Sequence, residues 1–193
     1  MDYQYRKFIL GEYTDEQGKT KITCACRDVR NPGEIMHPVQ TINLSSLDDL
    51  ATNEASLKNA MDFAEHLHLI PAETVKSFYY DMLVADALLG NTDRHNGNWA
   101  ILTDEKGNAR LSPIYGCGSS LSPLLGETDL DDRHLSNSAI DTFSIILDEH
   151  HKRLNYRDYF LSCKDPELNA AAKRLIGRIN LYEINNMINP LYF

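Results

Sequence analysis

Residues 90–98 read Gly-Asn-Thr-Asp-Arg-His-Asn-Gly-Asn, and this stretch decides how the rest of the chain is interpreted. An amphipathic helix is predicted over 71–89, because apolar side chains recur there at three- and four-residue intervals. Glycine and asparagine, the first two residues of the stretch, commonly end a helix. Behind it, the apolar runs 99–102 and 109–111 flank a Gly-containing turn, which predicts a short β-hairpin. The sequence therefore predicts a polar loop held between a helix and a hairpin.

This loop carries two side chains with the chemistry that phosphoryl transfer requires. A kinase places a carboxylate beside the attacking hydroxyl and uses a neutral amide oxygen as a magnesium ligand. Asp93 and, five residues later, Asn98 provide these two groups. Kinases also present a second metal-binding carboxylate just after the following hairpin. The chain reaches that place at Gly116, directly after the Pro-Ile-Tyr of 113–115.

The same loop has a simpler interpretation. Asn, Asp and Gly are common in turns because they tolerate unusual backbone angles and form local hydrogen bonds. On this alternative, Asp93 caps the loop and Asn98 begins a strand. The flanking helix, the hairpin and the Pro-x-Tyr segment together favour the interpretation as a phosphoryl-transfer loop.

The order Asp93-Arg94-His95-x-x-Asn98 resembles the catalytic loop of HipA-like serine/threonine kinases, and phosphoinositide kinases share a similar order. Pro-x-Tyr before a loop of small residues is similar to the segment with which HipA-like proteins present their metal-binding aspartate. The resemblance covers roughly 71–122. It implies that Asp93 is the catalytic base, that Asn98 is a Mg²⁺ ligand, and that His95 lies near the phosphates or supports the loop. It also implies ATP and Mg²⁺ as cofactors and a protein Ser or Thr as substrate.

Two departures from the family pattern predict little or no turnover. Gly116 stands where the family has its metal-binding aspartate, and glycine has no side chain to coordinate magnesium. In addition, no Gly-rich phosphate loop and no Val-Ala-x-Lys strand precede the catalytic loop in this sequence. A non-catalytic pseudokinase or interaction module is therefore the alternative. A third interpretation is a split kinase completed by another chain, and similar toxin–antitoxin proteins work through protein partners such as an antitoxin.

The fold class that follows is α+β: a reduced β-rich small lobe and hinge over 1–45, then a mainly helical large lobe over 46–193. A hairpin is predicted between residues 8 and 29, because two apolar runs flank a Gly-containing turn. The resemblance implies that Cys24, Ala25 and Cys26 form the hinge that meets the adenine ring. Read from composition alone, the two cysteines are small buried hydrophobic residues.

Less specific sequence patterns predict the structure of the remaining segments. An irregular stretch is predicted from Asn31 past Pro38, and Ser46 with Asp49 resembles a helix capping box. Helical spacing links Leu57 to His68. A long loop is predicted over 116–132, and several helices are predicted over 140–188.

Charge and composition restrict the partners. The chain has 193 residues, with 19 Lys and Arg against 28 Asp and Glu, so its formal net charge is −9. An acidic chain of this kind is not expected to bind nucleic acid directly or to bind an anionic membrane. No apolar run reaches the roughly 18 residues of a membrane span, and the first residues lack the apolar stretch of a signal peptide. A cytoplasmic protein is therefore expected.

Overall fold

The computed structural model describes residues 8–42, 54–120, 142–180 and 182. These residues form seven strands and four α-helices. The strands are β1 (Phe8–Thr14), β2 (Thr20–Cys26), β3 (Ile35–Pro38), β4 (Ala100–Thr103), β5 (Ala109–Leu111), β6 (Phe143–Leu147) and β7 (Arg153–Asn155). The helices are α1 (Leu57–His66), α2 (Ala72–Leu89), α3 (Tyr156–Ser162) and α4 (Pro166–Ile176). The strands pair as three small antiparallel sheets, which together with the helices give a mixed α+β fold.

The predicted N-terminal hairpin is confirmed. Strands β1 and β2 pair from Phe8 opposite Cys26 to Thr14 opposite Thr20. The Asp15 carboxylate closes the turn by accepting hydrogen bonds from the backbone N–H groups two and four residues later. The prediction that both cysteines are buried is wrong for Cys26, which is exposed because it lies at the end of a sheet of only two strands.

The irregular stretch predicted around Pro38 is instead a strand. β3 pairs with β4, and the central sheet has the order β3-β4-β5. Pro38 is compatible with this position because it is the last residue of an edge strand. Its missing N–H therefore removes no hydrogen bond between neighbouring strands. A strand that lies between residues 30 and 45 is thus joined to the hairpin that follows the 90–98 loop.

Helix α1 has its N-cap at Ser56, ten residues after Ser46; the capping box predicted at Ser46 and Asp49 lies outside the described residues. The Ser56 hydroxyl caps it by accepting a hydrogen bond from the Asn59 N–H at 3.1 Å. The helix ends at His66, so His68 does not continue the stripe as predicted; its φ of 54° is left-handed. The capping serine, rather than the apolar spacing alone, decides where this helix starts.

Helix α2 is confirmed and forms the centre of the core. It follows Pro71, and Gly90 ends it with a left-handed φ of 65°. The Trp99 ring packs edge-on against Phe63 of α1 and Tyr79 of α2, with both centroid distances 5.4 Å. The residue directly after the loop is therefore anchored in the core by two helices.

The segment after residue 140 is only partly helical, which corrects the prediction of helices alone. Strands β6 and β7 form a hairpin whose turn is closed by the Asp148 carboxylate, which accepts hydrogen bonds from the N–H groups of His150 and Lys152. In β6, Ser144 and Ile146 are buried while Phe143 is exposed, the alternation of a strand. Helices α3 and α4 follow as predicted.

Within the described ranges, none of the helices combines the length and the apolar character that a membrane crossing requires.

Candidate active site

The 90–98 loop is anchored at its beginning by buried polar contacts. Asn91 is fully buried, and its backbone N–H donates to the Asp86 carbonyl at 2.8 Å. The Tyr156 hydroxyl donates to the Asn91 carbonyl at 2.7 Å, and the Ile145 N–H donates to the Thr92 carbonyl at 2.9 Å. Helix α2, strand β6 and helix α3 therefore hold the loop from three directions.

A buried ion pair between Asp86 and Arg94 lies beneath the loop. The two side chains are 0% and 1% exposed, and Arg94 donates to both carboxylate oxygens at 2.6 and 2.7 Å. Burial lowers the pKa of Arg94, but the hydrogen bonds and charge of Asp86 outweigh it and raise the pKa above its usual value. The guanidinium is thus permanently charged, and it is fully surrounded by acceptors.

Arg94 also joins the loop to the segment that follows β5. One guanidinium nitrogen donates to the Asn98 carbonyl at 2.6 Å and to the Tyr115 carbonyl. The Tyr115 hydroxyl in turn donates to the Gly97 carbonyl at 2.9 Å. These contacts place Gly116 beside the loop, as the sequence predicts for the position after Pro-Ile-Tyr.

Asp93 and His95 lie on the exposed side of the loop. Their side chains are 58% and 43% exposed, and Asp93 Oδ2 lies 4.0 Å from His95 Nε2. His95 Nδ1 accepts a hydrogen bond from the Gly97 N–H at 3.0 Å, so the neutral ring carries its proton on Nε2. The nitrogen that faces Asp93 is therefore a donor. An exposed carboxylate in this position can accept a proton from an incoming hydroxyl.

Asn98 and Gly116 lie in direct contact. The Asn98 amide nitrogen donates to the Asp93 carbonyl at 2.6 Å, which leaves the amide oxygen to face a cation. Gly116 has a left-handed φ of 72°, and a Cβ added there would lie 2.5 Å from Asn98 Cγ. The Asn98 side chain thus occupies the space that a side chain at 116 would need.

These residues fit a magnesium ion only in part. Mg²⁺ prefers six oxygen ligands and is commonly held by one or two carboxylates, phosphate oxygens and water. Asn98 offers one amide oxygen, and position 116 offers no side chain. Among the residues that the structure describes, no three His, Cys, Asp or Glu side chains are grouped as a metal site would require.

Sequence reasoning did not predict the roles of Asp86 and Ser119. Asp86 interrupts the apolar stripe that runs along α2 from Val75 to Leu89, and this was the available signal for a buried partner. The Ser119 hydroxyl accepts hydrogen bonds from the N–H groups of Thr92 and Asp93 and donates to the Asn91 side chain. Only its closeness to Gly116 along the chain could have indicated this contact.

Cys24, Ala25 and Cys26 lie on β2, in a different sheet from β4. Ala25 and Cys26 are exposed, and β2 pairs along its length with β1. The segment after β2 is joined to the central sheet by Arg110 of β5, which donates to the Val29 carbonyl at 2.9 Å. The adenine-contacting role of the three residues stays a prediction.

The kinase CtkA is similar to this chain in both sequence and structure. No protein-family model matches the chain. The serine/threonine-protein kinase CtkA of Helicobacter pylori strain J99 is 30% identical over an alignment of 198 positions, which covers 96% of this chain and 58% of CtkA. A crystal structure of the Helicobacter pylori proinflammatory kinase CtkA matches with a TM-score of 0.87 and 27% identity, over 97% of this chain and 69% of that one.

The chain therefore spans less than two thirds of the full length of this curated relative. Its sequence is similar to that of the kinase CtkA, and its mixed α+β fold is similar to that of the matched part of the CtkA crystal structure.

Proposed function

We propose that this chain is a kinase-like domain of the HipA-like serine/threonine class, with a complete catalytic loop and an incomplete metal site. Its activity is transfer of the γ-phosphoryl group of ATP to a protein Ser or Thr, at a rate strongly reduced by Gly116. The observation that carries the proposal is that the Asn98 side chain contacts both Asp93 and Gly116, while the buried Arg94 holds the carbonyls of Asn98 and Tyr115. Homology to the kinase CtkA supports it.

Each residue of the loop has a distinct role in this proposal. Asp93 orients the acceptor hydroxyl and accepts its proton, for which the exposed carboxylate is accessible. His95 presents its Nε2–H toward the same region. Asn98 would hold Mg²⁺ through its amide oxygen, and bound Mg²⁺·ATP supplies the phosphoryl group.

The backbone of Cys24, Ala25 and Cys26 would meet the adenine ring. Since ATP is the donor, we place this activity in the cytoplasm.

Gly116 limits the rate because a charged metal ligand is absent. Loss of such a ligand costs several kcal/mol of transition-state stabilisation. Each ~1.4 kcal/mol of barrier is about a factor of ten in rate. Turnover is therefore expected to lie orders of magnitude below that of a kinase with an aspartate at this position.

A second candidate function is a non-catalytic pseudokinase that binds a partner protein. The contact between Asn98 and Gly116 favours it, because the space for a second ligand is filled by the first. Its partner would be a protein substrate, an antitoxin-like chain, or a chain that completes the small lobe, as in a split kinase.

Calorimetric titration with ATP, with and without Mg²⁺, tests the metal site. We expect weak Mg²⁺-dependent binding by the natural chain, loss of the Mg²⁺-dependent part in Asn98→Ala, and stronger Mg²⁺-dependent binding in Gly116→Asp than in Gly116→Ala, since both variants carry the same overlap with Asn98. Gly116→Ala is the matched control, because it adds the same Cβ without a carboxylate. Equal Mg²⁺ dependence in the Asp and Ala variants would show that position 116 is not the metal position.

Transfer of labelled phosphate to dephosphorylated casein and to the chain itself separates the two candidate functions. We expect slow labelling by the natural chain, faster labelling by Gly116→Asp than by Gly116→Ala, and none above background in Asp93→Asn at unchanged ATP affinity. ATP binding without labelling by any variant would favour the pseudokinase. Labelling that persists in Asp93→Asn would exclude Asp93 as the base.

A further inference from the structure

We infer that Ser119 is a positioning residue, whose hydroxyl fixes the backbone of Asp93 to the segment that follows Gly116. What the positioning serves rests on the proposed function, in which Asp93 is the base. The contact itself does not depend on that function.

The hydroxyl of Ser119 makes contacts with three consecutive loop residues. It accepts hydrogen bonds from the N–H groups of Thr92 at 3.0 Å and Asp93 at 3.2 Å, and it donates to Asn91 Oδ1 at 2.5 Å. A serine hydroxyl has one donor and two acceptor sites. All three are used, and all three partners belong to the loop that carries Asp93.

One of these partners is itself immobilised. The Asn91 side chain is buried, and its amide nitrogen donates to Asp86 Oδ1 at 2.7 Å and to the Gly116 carbonyl at 3.4 Å. Asn91 therefore orients the Ser119 hydroxyl, and the hydroxyl presents its remaining acceptor sites to Thr92 and Asp93. The chain of contacts runs from the buried ion pair to the backbone of the candidate base.

The direction of Asp93 depends on this backbone more than on packing of its side chain. The carboxylate is 58% exposed and faces His95 at 4.0 Å, beyond hydrogen-bond distance. A fixed backbone limits an exposed side chain to one set of staggered rotamers, whereas a loose backbone multiplies the directions that the side chain explores. Ser119 lies three residues after Gly116, so its hydroxyl links the backbone conformation of Asp93 to that of the segment at position 116.

A role in the local turn does not account for the hydroxyl. Residues 117–120 form a turn that is closed by the Ser120 N–H, which donates to the Cys117 carbonyl at 3.1 Å. This hydrogen bond uses backbone atoms alone and would persist with alanine at 119. The side-chain contacts of Ser119 are directed at the other loop.

Amide hydrogen exchange of the whole chain, measured by NMR, tests the contact directly. In Ser119→Ala we expect exchange at Thr92 and Asp93 to rise about tenfold, the change implied by loss of one ordinary hydrogen bond. Amides in the middle of α2 are expected to stay within about twofold, since global stability is little affected. Ser119→Thr, which keeps the hydroxyl, should restore protection.

Ser120→Ala is the matched control, because within the described residues the buried Ser120 hydroxyl has no hydrogen-bond partner. Exchange at Thr92 and Asp93 that is equal in the two alanine variants would overturn the inference. So would a uniform rise over α2 and the loop, because that would make Ser119 a general stabilising residue.

Kinetics give a second readout that a purely structural role would not produce. In Ser119→Ala we expect kcat for phosphoryl transfer to fall about tenfold with Mg²⁺·ATP affinity unchanged, since the hydroxyl positions the base and not the nucleotide. Equal losses in kcat and in ATP affinity would contradict positioning of Asp93. Failure of the natural chain to bind ATP would reject the proposed function, while the exchange result would still decide the role of Ser119.

Discussion

At position 116 the backbone and a neighbouring side chain both favour glycine. The φ of 72° is left-handed, and an added Cβ would lie 2.5 Å from Asn98 Cγ and 2.6 Å from Asn98 Cβ. These atoms are close to the Asn98 backbone, so rotation of the side chain cannot relieve the overlap. We expect Gly116→Ala to lower the free energy of unfolding by about 1–3 kcal/mol, measured by urea denaturation.

Gly118→Ala is the control for this substitution. It lies two residues away in the same segment, and a Cβ added there would meet nothing within 4 Å. Gly118→Ala should change the free energy of unfolding by no more than about 0.5 kcal/mol. Equal losses at 116 and 118 would mean that the contact with Asn98 does not determine the preference for glycine.

At the scale of elements, the Asp86–Arg94 pair joins α2 to the catalytic loop. Asp86→Asn leaves a guanidinium that is 1% exposed without a counter-charge, which we expect to cost about 3–5 kcal/mol of stability. Asp81→Asn breaks a pair of the same 2.6 Å distance between α2 and α4, but Arg174 is 48% exposed and can be hydrated. Its cost should be about 1 kcal/mol or less. Urea denaturation of both variants measures the difference, and similar losses would contradict the argument from burial.

A second link between elements, from Glu34 to Arg110 of β5, predicts a pH dependence. Hydrogen bonds from Arg110 and from the Asn31 N–H lower the pKa of Glu34 to about 2, well below its ordinary value of 4.5. Because the pKa is depressed in the folded state, the stability from this carboxylate is fully present above about pH 4.5 and is lost as the pH falls toward 2.

Thermal denaturation of the natural chain and of Glu34→Gln across this range is the measurement. The melting temperature of the variant should be lower at pH 7, and the difference should shrink as the pH falls below 4.5. Glu12→Gln, on the exposed N-terminal hairpin, is the control and should show no such convergence. A difference that is constant from pH 7 to pH 3 would refute the role of the carboxylate charge.

At the scale of the whole molecule, local patterns predicted more than long-range pairings did. The α+β class, helix α2, the hairpin β4–β5 and the placing of Gly116 beside the loop all follow from adjacent stretches of sequence. Strand β3 was missed because its partner β4 lies more than 60 residues later, and no local signal specifies such a pairing. The role of Ser119 was missed for the same reason, since a hydroxyl acquires its partners only when two loops meet.

The net charge leads to a prediction about nucleic acid. The full sequence carries −9, and within the described residues much of the positive charge is already paired: Arg94 with Asp86, Arg110 with Glu34, Arg174 with Asp81, and Lys76 with Glu65 and Glu73. Binding to duplex DNA depends on free Lys and Arg that displace counterions from phosphates. We expect no measurable binding of the purified chain to a labelled duplex at about 0.15 M salt, followed by fluorescence anisotropy.

Measuring DNA binding at lower salt concentration makes the test of this prediction more stringent. A protein that contacts several phosphates gains affinity steeply as salt falls, whereas an acidic chain is repelled more strongly when screening is weak. The anisotropy should therefore stay flat down to about 0.05 M salt. Tight binding with a steep salt dependence would show that the paired cations rearrange into a basic surface. Binding that appears only when a basic partner protein is added would agree with the prediction, because the partner would then supply the phosphate contacts.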